Sequence, residues 1–483
     1  ARGRAPAHAG GTAPPRRADY RTPLFPGRPT RRAPSRAASA MSHRPTDPGA
    51  FGPAPHDKDA PFGLPFGGAI EPGLPGEAVG TLPAEQPEPV DALETELSLW
   101  AVVFAGGIGS RFWPLSTPER PKQLLALVGE RPLIADTVGR LAPTIPPERV
   151  LVLTSADIAD ALHAAIPEVP ERNMLIEPRP MGTAAALAWG AQEIARRVGR
   201  QATFVAMHAD LAVGYPQELR TLLRRAAVLA STRRAMVAIG AEPTRPETGF
   251  GYLVPGDGLD APAADAGSSG NGNDAAHEAD VAAVDAGAHA ASALGRQDPR
   301  RVARFVEKPG GLLAERLIAE GAFWYTGICV AQAGAVLDAL AERTPELQPG
   351  LAALAAGKLD RFSGLIQQIS IERGLFERSA DLVVLPGECG WDDVGTWAAL
   401  RRVRELDDTG NGVWGSAHVV DASSCVVHAD GGNTVVLYGL SGMLVVSRPG
   451  LTFVTSLDRA AELNPLLDAL PAELAGRPKR ALE

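Results

Sequence analysis

From residue 98 onward, short apolar runs alternate with stretches of helical period. The runs at 99–105, 150–154, 173–176, 203–207 and 235–240 are continuous rather than alternating, which predicts strands buried on both faces. Helices are expected between them at 132–141, 156–165, 182–197 and 217–231. Strands each followed by a helix predict an α/β fold with a Rossmann-like, mainly parallel sheet. Such sheets bind ligands beyond the carboxyl ends of their strands. Strand-like sequence returns at "RVARFVEKP", residues 301–309.

After about residue 410 the pattern changes. Short β runs, "GVWGSAHVV", "CVVHA", "NTVVLYG", "GMLVVSRPG" and "LTFVTS", are separated by turn residues. They predict a small β module over 409–483, with the character of a solenoid stack and a closing helix. Two other regions lack either period. Residues 1–97 are dense in Pro, Ala, Gly and Arg and are expected to be a disordered extension. Their first part is arginine-rich and acid-poor, as transit peptides are, although Met41 offers a natural start. Residues 255–299, rich in Ala, Gly and Asp, are expected to be a disordered insertion within a main domain of 98–408.

Composition narrows the class of partner. The chain has 483 residues, 45% of them hydrophobic, enough for a large core. A formal charge of −9 gives no reason to expect nucleic acid. No run approaches the roughly 18 apolar residues of a membrane span. The three cysteines, Cys329, Cys389 and Cys425, are far apart and in no metal or redox spacing, which fits unpaired thiols in a reducing cytoplasm.

The chemistry is concentrated after the first strand, in "FAGGIGSRFWPLSTPERPKQ", residues 104–123. It is neither a dinucleotide fingerprint nor a Walker loop, since no third spaced glycine and no Gly-Lys-Ser/Thr follow. Glycines after a strand let main-chain N–H groups approach phosphate oxygens. Arg111 adds a planar multi-donor fork and Lys122 a compact point charge, a set suited to a triphosphate that is cleaved. Asp210 ends the strand-like "FVAMHADL", where a carboxylate can hold a divalent cation.

The stretch "GGIGSRFWPLSTPERPKQ" resembles the signature of sugar-1-phosphate nucleotidylyltransferases. It fills the signature positions with Gly106, Gly107, Gly109, Arg111, Pro114, Leu115, Ser116, Pro121 and Lys122. Trp113 before Pro-Leu-Ser is similar to the mannose-1-phosphate guanylyltransferase branch. Four later segments agree with that family: "EPRPMGTAAAL" (177–187), "RPETGFGYL" (245–253), "FVEKP" (305–309) and "WDDVGTW" (391–397). The resemblance spans about 98–470, interrupted by the low-complexity stretch.

The resemblance implies transfer of GMP from GTP to mannose 1-phosphate, with Mg²⁺ as cofactor and a cytoplasmic setting. It implies Arg111 and Lys122 as catalytic groups, with Ala105, Gly106, Gly107, Gly109, Glu177, Gly182 and Thr183 around the nucleotide. Gly249, Glu307, Lys308, Tyr325 and Gly327 are implied at the sugar phosphate, and Asp210 and Asp393 at the metal, Asp393 in preference to its neighbour Asp392. In a regular strand the side chains of Glu307 and Lys308 would point to opposite faces. Similar proteins also imply a homodimer through the β module. Some members carry a fused isomerase domain, whereas here one activity is expected.

Three segments depart from the family pattern. Met181-Gly182-Thr183 stands for Arg-Asn-Thr, His208-Ala209-Asp210-Leu211 for Pro-Ala-Asp-His, and Trp324-Tyr325-Thr326-Gly327 for Trp-Asn-Ser-Gly. Two alternatives therefore stand beside the main expectation. One is an enzyme joining glucose 1-phosphate to UTP or dTTP. The other is a non-catalytic relative that senses GDP-mannose.

Overall fold

A computed structural model describes residues 98–107, 109–259 and 298–475. The expected N-terminal extension and the expected insertion from residue 260 to 297 lie outside the described residues, as do residues 476–483. The strands are β1 Trp100–Phe104, β2 Val150–Ser155, β3 Met174–Glu177, β4 Thr203–His208, β5 Ala212–Val213, β6 Met236–Ala241, β7 Gly251–Gly258, β8 Arg300–Glu307, β9 Phe323–Gln332, β10 Leu382–Pro386 and β11 Trp391–Asp392. The helices around them include α1 Leu133–Leu141, α2 Ala156–Ala165, α3 Thr183–Val198, α4 Pro216–Arg233, α5 Gly311–Ala319 and α6 Ala333–Arg343.

Nine strands form one sheet in the order β3-β2-β1-β4-β9-β6-β10-β8-β7. The period of two in β1 explains its unbroken apolar sequence. Trp100, Val102 and Phe104 enter one core with α3 and α6, while Ala101 and Val103 enter another with α1, α2 and α4. Helices thus cover both faces of this part of the sheet.

The sheet is mixed, with two blocks of parallel pairing, β3-β2-β1-β4 and β6-β10. Strands β3, β2, β1 and β4 run parallel, but β9 enters antiparallel between β4 and β6. Strands β7 and β8 form an antiparallel pair, and β7 also pairs with the start of β9. Sequence periodicity marks strands but carries no direction, so this half was not legible in it. Residues Pro255–Gly258, expected within the low-complexity stretch, instead continue β7, and Gly258 pairs with Arg300.

A small ladder outside the main sheet fixes the site. Strand β11 pairs antiparallel with β5, Asp392 opposite Ala212 and Trp391 opposite Val213. That register sets Asp393 beside the segment that begins at Asp210.

Beyond residue 410 the chain forms β12 Gly412–Trp414, β13 Ser416–Val420, β14 Val426–Ala429, β15 Thr434–Tyr438, β16 Met443–Arg448 and β17 Leu451–Ser456. Strands β12, β14 and β16 stack in parallel, as do β13 and β15, and β17 runs antiparallel along β16. From β13 to β15 and from β14 to β16 the repeat is 18 residues, so Ser416 meets Thr434 and Ser423 meets Ser441 through their hydroxyls. This is a short β-solenoid. Its Val426, Leu444, Val446 and Phe453 share one apolar core with Phe112, Trp113, Leu115 and Trp397 of the main domain. Among the described residues, no helix is long and apolar enough to cross a membrane.

Candidate active site

The glycine-rich loop leaves β1 at its carboxyl end. Ala105 is its anchor: it is buried, its N–H donates to Leu153 O, and its carbonyl accepts from Gln123 Nε2 at 2.8 Å and Thr154 Oγ1 at 3.3 Å. Ala105 therefore anchors the start of the loop. Exposed backbone begins at Gly106 and Gly107, where an added Cβ would meet nothing within 4 Å. Gly109 is required for a different reason. Its φ is +67°, and a Cβ there would lie 2.4 Å from Lys122 Cβ. The missing side chain lets the Lys122 stem lie flat against the loop.

Lys122 is only 6% exposed. Its Nζ lies 2.9 Å from Asp210 Oδ2 and donates to the Asp393 carbonyl at 2.9 Å. Its ammonium is also 5.6 Å from the centre of the Phe112 ring. Arg111 is exposed, with Nη1 near Gly395 and its charge felt by Asp393. The sequence-expected Arg111, Lys122, Asp210 and Asp393 thus converge although they come from three distant segments.

The two metal candidates differ in their electrostatics. Burial would raise the Asp210 carboxyl, but the adjacent Lys122 ammonium and then His208 overcome it and hold it below the ordinary value. Burial pushes Asp393 up to about 6, with Lys122 opposing and Asp392 reinforcing the shift. Asp392 is committed elsewhere. It accepts both arms of Arg402, at 2.6 and 3.0 Å, and the Val394 N–H at 2.9 Å. Asp393 is 3.9 Å from Arg402 and 30% exposed, so of the two neighbours it is the one that faces the site. Among the described residues no group of three or more metal-type ligands gathers. Two carboxylates fit Mg²⁺, which takes one or two from protein and completes its octahedron with water and phosphate oxygens.

Contacts lead from this centre to the expected sugar side. Trp391 packs 5.1 Å from Phe250, whose carbonyl accepts from Lys308 N–H at 3.1 Å. The regular alternation of β8 fails at its end. Lys308 has φ +48°, and its Nζ turns back to within 2.9 Å of Glu307 Oε1. The two side chains therefore meet instead of pointing to opposite faces. Burial raises the Glu307 carboxyl, Lys308 opposing it and Glu372 adding to it. Gly249 is exposed, its N–H held by Glu247 Oε1 at 3.2 Å, and Gly327 lies beside the His208 ring. Tyr325 is buried, its ring packed edge-on against Phe305 and Phe376.

On the other flank, Glu177 ends β3, next to β2 and two strands from the loop. Burial pushes its carboxyl up to about 7. Gly182 packs against the Ile369 carbonyl, and Thr183 Oγ1 accepts the Ile371 N–H at 3.0 Å. Both hold α3 to the 369–371 segment, a structural task that the sequence did not reveal. Sequence reasoning also missed Gln123, Thr154 and Arg402. Gln123 directly follows the Pro121-Lys122 pair, a signal that was available. Arg402 carries no local signal at all.

The nucleotidyl transferase family model matches residues 100–263 and 276–409. The alginate biosynthesis protein AlgA of Pseudomonas putida is 29% identical over 381 residues, covering 76% of this chain and 71% of that protein. A mannose-1-phosphate guanylyltransferase of Klebsiella pneumoniae is 28% identical, covering 80% of this chain and 76% of its own length. The crystal structure described as a mannose-1-phosphate geranyltransferase from Thermus thermophilus is 30% identical, with a TM-score of 0.64, covering 77% of this chain and 99% of that one.

Proposed function

The chain belongs to the nucleotidyl transferase family, and from that premise we propose that it transfers GMP from GTP to mannose 1-phosphate. A phosphate oxygen of mannose 1-phosphate attacks the α-phosphorus of GTP. The bond to the β-phosphate breaks, pyrophosphate leaves, and GDP-mannose forms. The attacking group is already an anion, so no general base is required.

What the protein supplies is alignment of two mutually repelling anions. Gly106 and Gly107 offer backbone to the triphosphate, and Arg111 and Lys122 offset its growing charge. Positioning of this kind can contribute about 7–11 kcal/mol. Asp210 and Asp393 would hold Mg²⁺, which would neutralise charge on the phosphates. Glu307 and Lys308 receive the sugar and its phosphate, and Glu177 accepts from guanine N1–H and amine.

One observation carries this reading: the Lys122 ammonium bridges Asp210 and the Asp393 backbone directly below the glycine loop. The choice of GTP and mannose is supported by the relatives named mannose-1-phosphate guanylyltransferase. We further read β3 to β4 as a Rossmann-like half, 98–408 as one catalytic domain, and the solenoid as a homodimer contact in a cytoplasmic enzyme of single activity. The test is pyrophosphate release across GTP, UTP, dTTP and ATP with mannose and glucose 1-phosphates. Highest kcat/KM with GTP and mannose 1-phosphate is expected. Preference for UTP or dTTP with glucose 1-phosphate would replace the substrates, and GDP-mannose binding without turnover would make the protein a sensor.

A further inference from the structure

Helix α1 carries a half-buried arginine with no part in the reaction described above. Arg140 Nη1 donates to the Leu211 carbonyl at 2.7 Å and, more weakly, to Thr137 Oγ1 at 3.3 Å. Thr137 lies three residues earlier on the same helix face and is fully buried. Its hydroxyl donates to the Ala209 carbonyl at 3.0 Å. A hydroxyl that accepts from one group and donates to another links the two contacts into a chain. Helix α1 thus grips the two carbonyls that stand immediately before and after Asp210.

Other contacts hold the same segment and the helix that grips it. The Ala209 N–H donates to the Phe104 carbonyl at 3.0 Å, at the end of β1, and both Ala209 and Leu211 are buried. The carbonyl of Arg140 accepts from Arg220 Nη1 of α4 at 3.0 Å. Burial pushes the Arg140 guanidinium down to about 10, with Asp136 and then Cys389 opposing the shift. Its hydrogen bonds run to neutral oxygens, so what this side chain adds is a hold on backbone. The residue after Leu211 is Ala212, which stands opposite Asp392 in the β5–β11 ladder. The grip therefore bears on Asp210 directly and on Asp393 through that register.

We infer that Thr137 and Arg140 are positioning residues for the Asp210 carboxylate. They fix the backbone on either side of it and so set where it stands relative to Lys122 and Asp393. The inference rests on the proposed reading of Asp210 and Asp393 as the carboxylates that hold a divalent cation. Two carboxylates from separate segments hold one ion only when both stand at ligand distance, and groups that orient metal ligands commonly contribute about tenfold or more to affinity.

Mn²⁺ is the probe, its free concentration read by electron paramagnetic resonance on the full chain. The proteins are wild type, Asp210→Asn, Thr137→Val, Thr137→Ser, Arg140→Met and Val138→Ala, with pyrophosphate release and melting temperature measured alongside. Thr137→Val and Arg140→Met are each expected to weaken Mn²⁺ binding and lower kcat about tenfold, with the KM for mannose 1-phosphate unchanged. Thr137→Ser keeps the hydroxyl and is expected to restore both. Val138→Ala removes apolar contacts from the same helix, so it lowers the melting temperature and leaves Mn²⁺ affinity at the wild-type value. If the variants at 137 and 140 lower only the melting temperature, while Asp210→Asn loses Mn²⁺, the positioning role alone is overturned. No Mn²⁺ binding to wild type, or equal binding by Asp210→Asn, overturns the cation reading and the inference with it. If Arg140→Met fails to fold, the comparison of Thr137→Val with Thr137→Ser decides.

Discussion

The ammonium of Lys122 and the carboxylate of Asp210 lie 2.9 Å apart, joining the segment after the glycine loop to the end of a neighbouring strand. The pair is asymmetric. Lys122 is buried, whereas the Asp210 side chain is 34% exposed and open toward the site. Replacing Lys122 with methionine keeps the apolar stem and removes the charge. Lys122→Met is expected to lower turnover by about 10²–10³-fold, the scale of losing one preorganised donor. The fold should persist, because the freed Asp210 carboxylate reaches water. Pyrophosphate release together with circular dichroism tests this, and unaltered turnover would refute the role.

The adjacent aspartates separate by partner. Asp393→Asn is expected to raise the Mg²⁺ concentration needed for activity at least tenfold with little change in melting temperature. Asp392→Asn breaks the two-armed contact with Arg402, and its expected effect is a stability loss of about 1–3 kcal/mol. Mg²⁺ titration and thermal denaturation of both variants give the comparison. The opposite pattern would show that the ligand is Asp392.

Glu177 gives a pH dependence. Its carboxyl is pushed up to about 7 by burial, so it loses its charge as pH falls through that value. If the carboxylate accepts from guanine, the KM for GTP rises below pH 7, while Glu177→Gln shows a flat and higher KM. A wild-type KM for GTP that is constant from pH 6 to 8 would remove Glu177 from base recognition.

His428 gives a dependence of stability rather than of activity. Burial, then Arg404, holds it down to about 4, below the ordinary 6.5. The unfolded chain therefore binds the extra proton first. The stability contributed by neutral His428 is complete above pH 6.5 and is lost as pH falls from 6.5 toward 4. The full difference is about 3 kcal/mol. His428→Asn is expected to flatten the melting temperature over this window relative to wild type, and parallel curves would contradict the linkage.

The solenoid supports the signature loop directly. Arg448 Nη1 donates to the Pro114 carbonyl at 2.6 Å, and Trp113 Nε1 donates to Leu474 O at 3.0 Å. Arg448→Ala is expected to lower kcat about tenfold, with the KM for mannose 1-phosphate unchanged, because the loop carrying Arg111 loses its outer brace. A kcat equal to wild type would limit the solenoid to a role outside catalysis.

The sequence by itself determined much of this protein. The continuous apolar runs gave β1 to β4 and β6 to within a residue or two, although only β1, β2, β4 and β6 are buried on both faces, and the edge strand β3 leaves Ile176 exposed. The glycine, arginine and lysine spacing marked the loop, because those residue types act through short-range backbone and charge chemistry. Tertiary structure decided the rest. Antiparallel entry of β9, the capture of Asp392 by Arg402, the reversal at Lys308 and the contact of Arg140 with Leu211 all depend on partners distant in sequence. A one-dimensional period records how often a side chain faces inward. It does not record which strand or charge it will meet there, and that meeting fixes which carboxylate remains open.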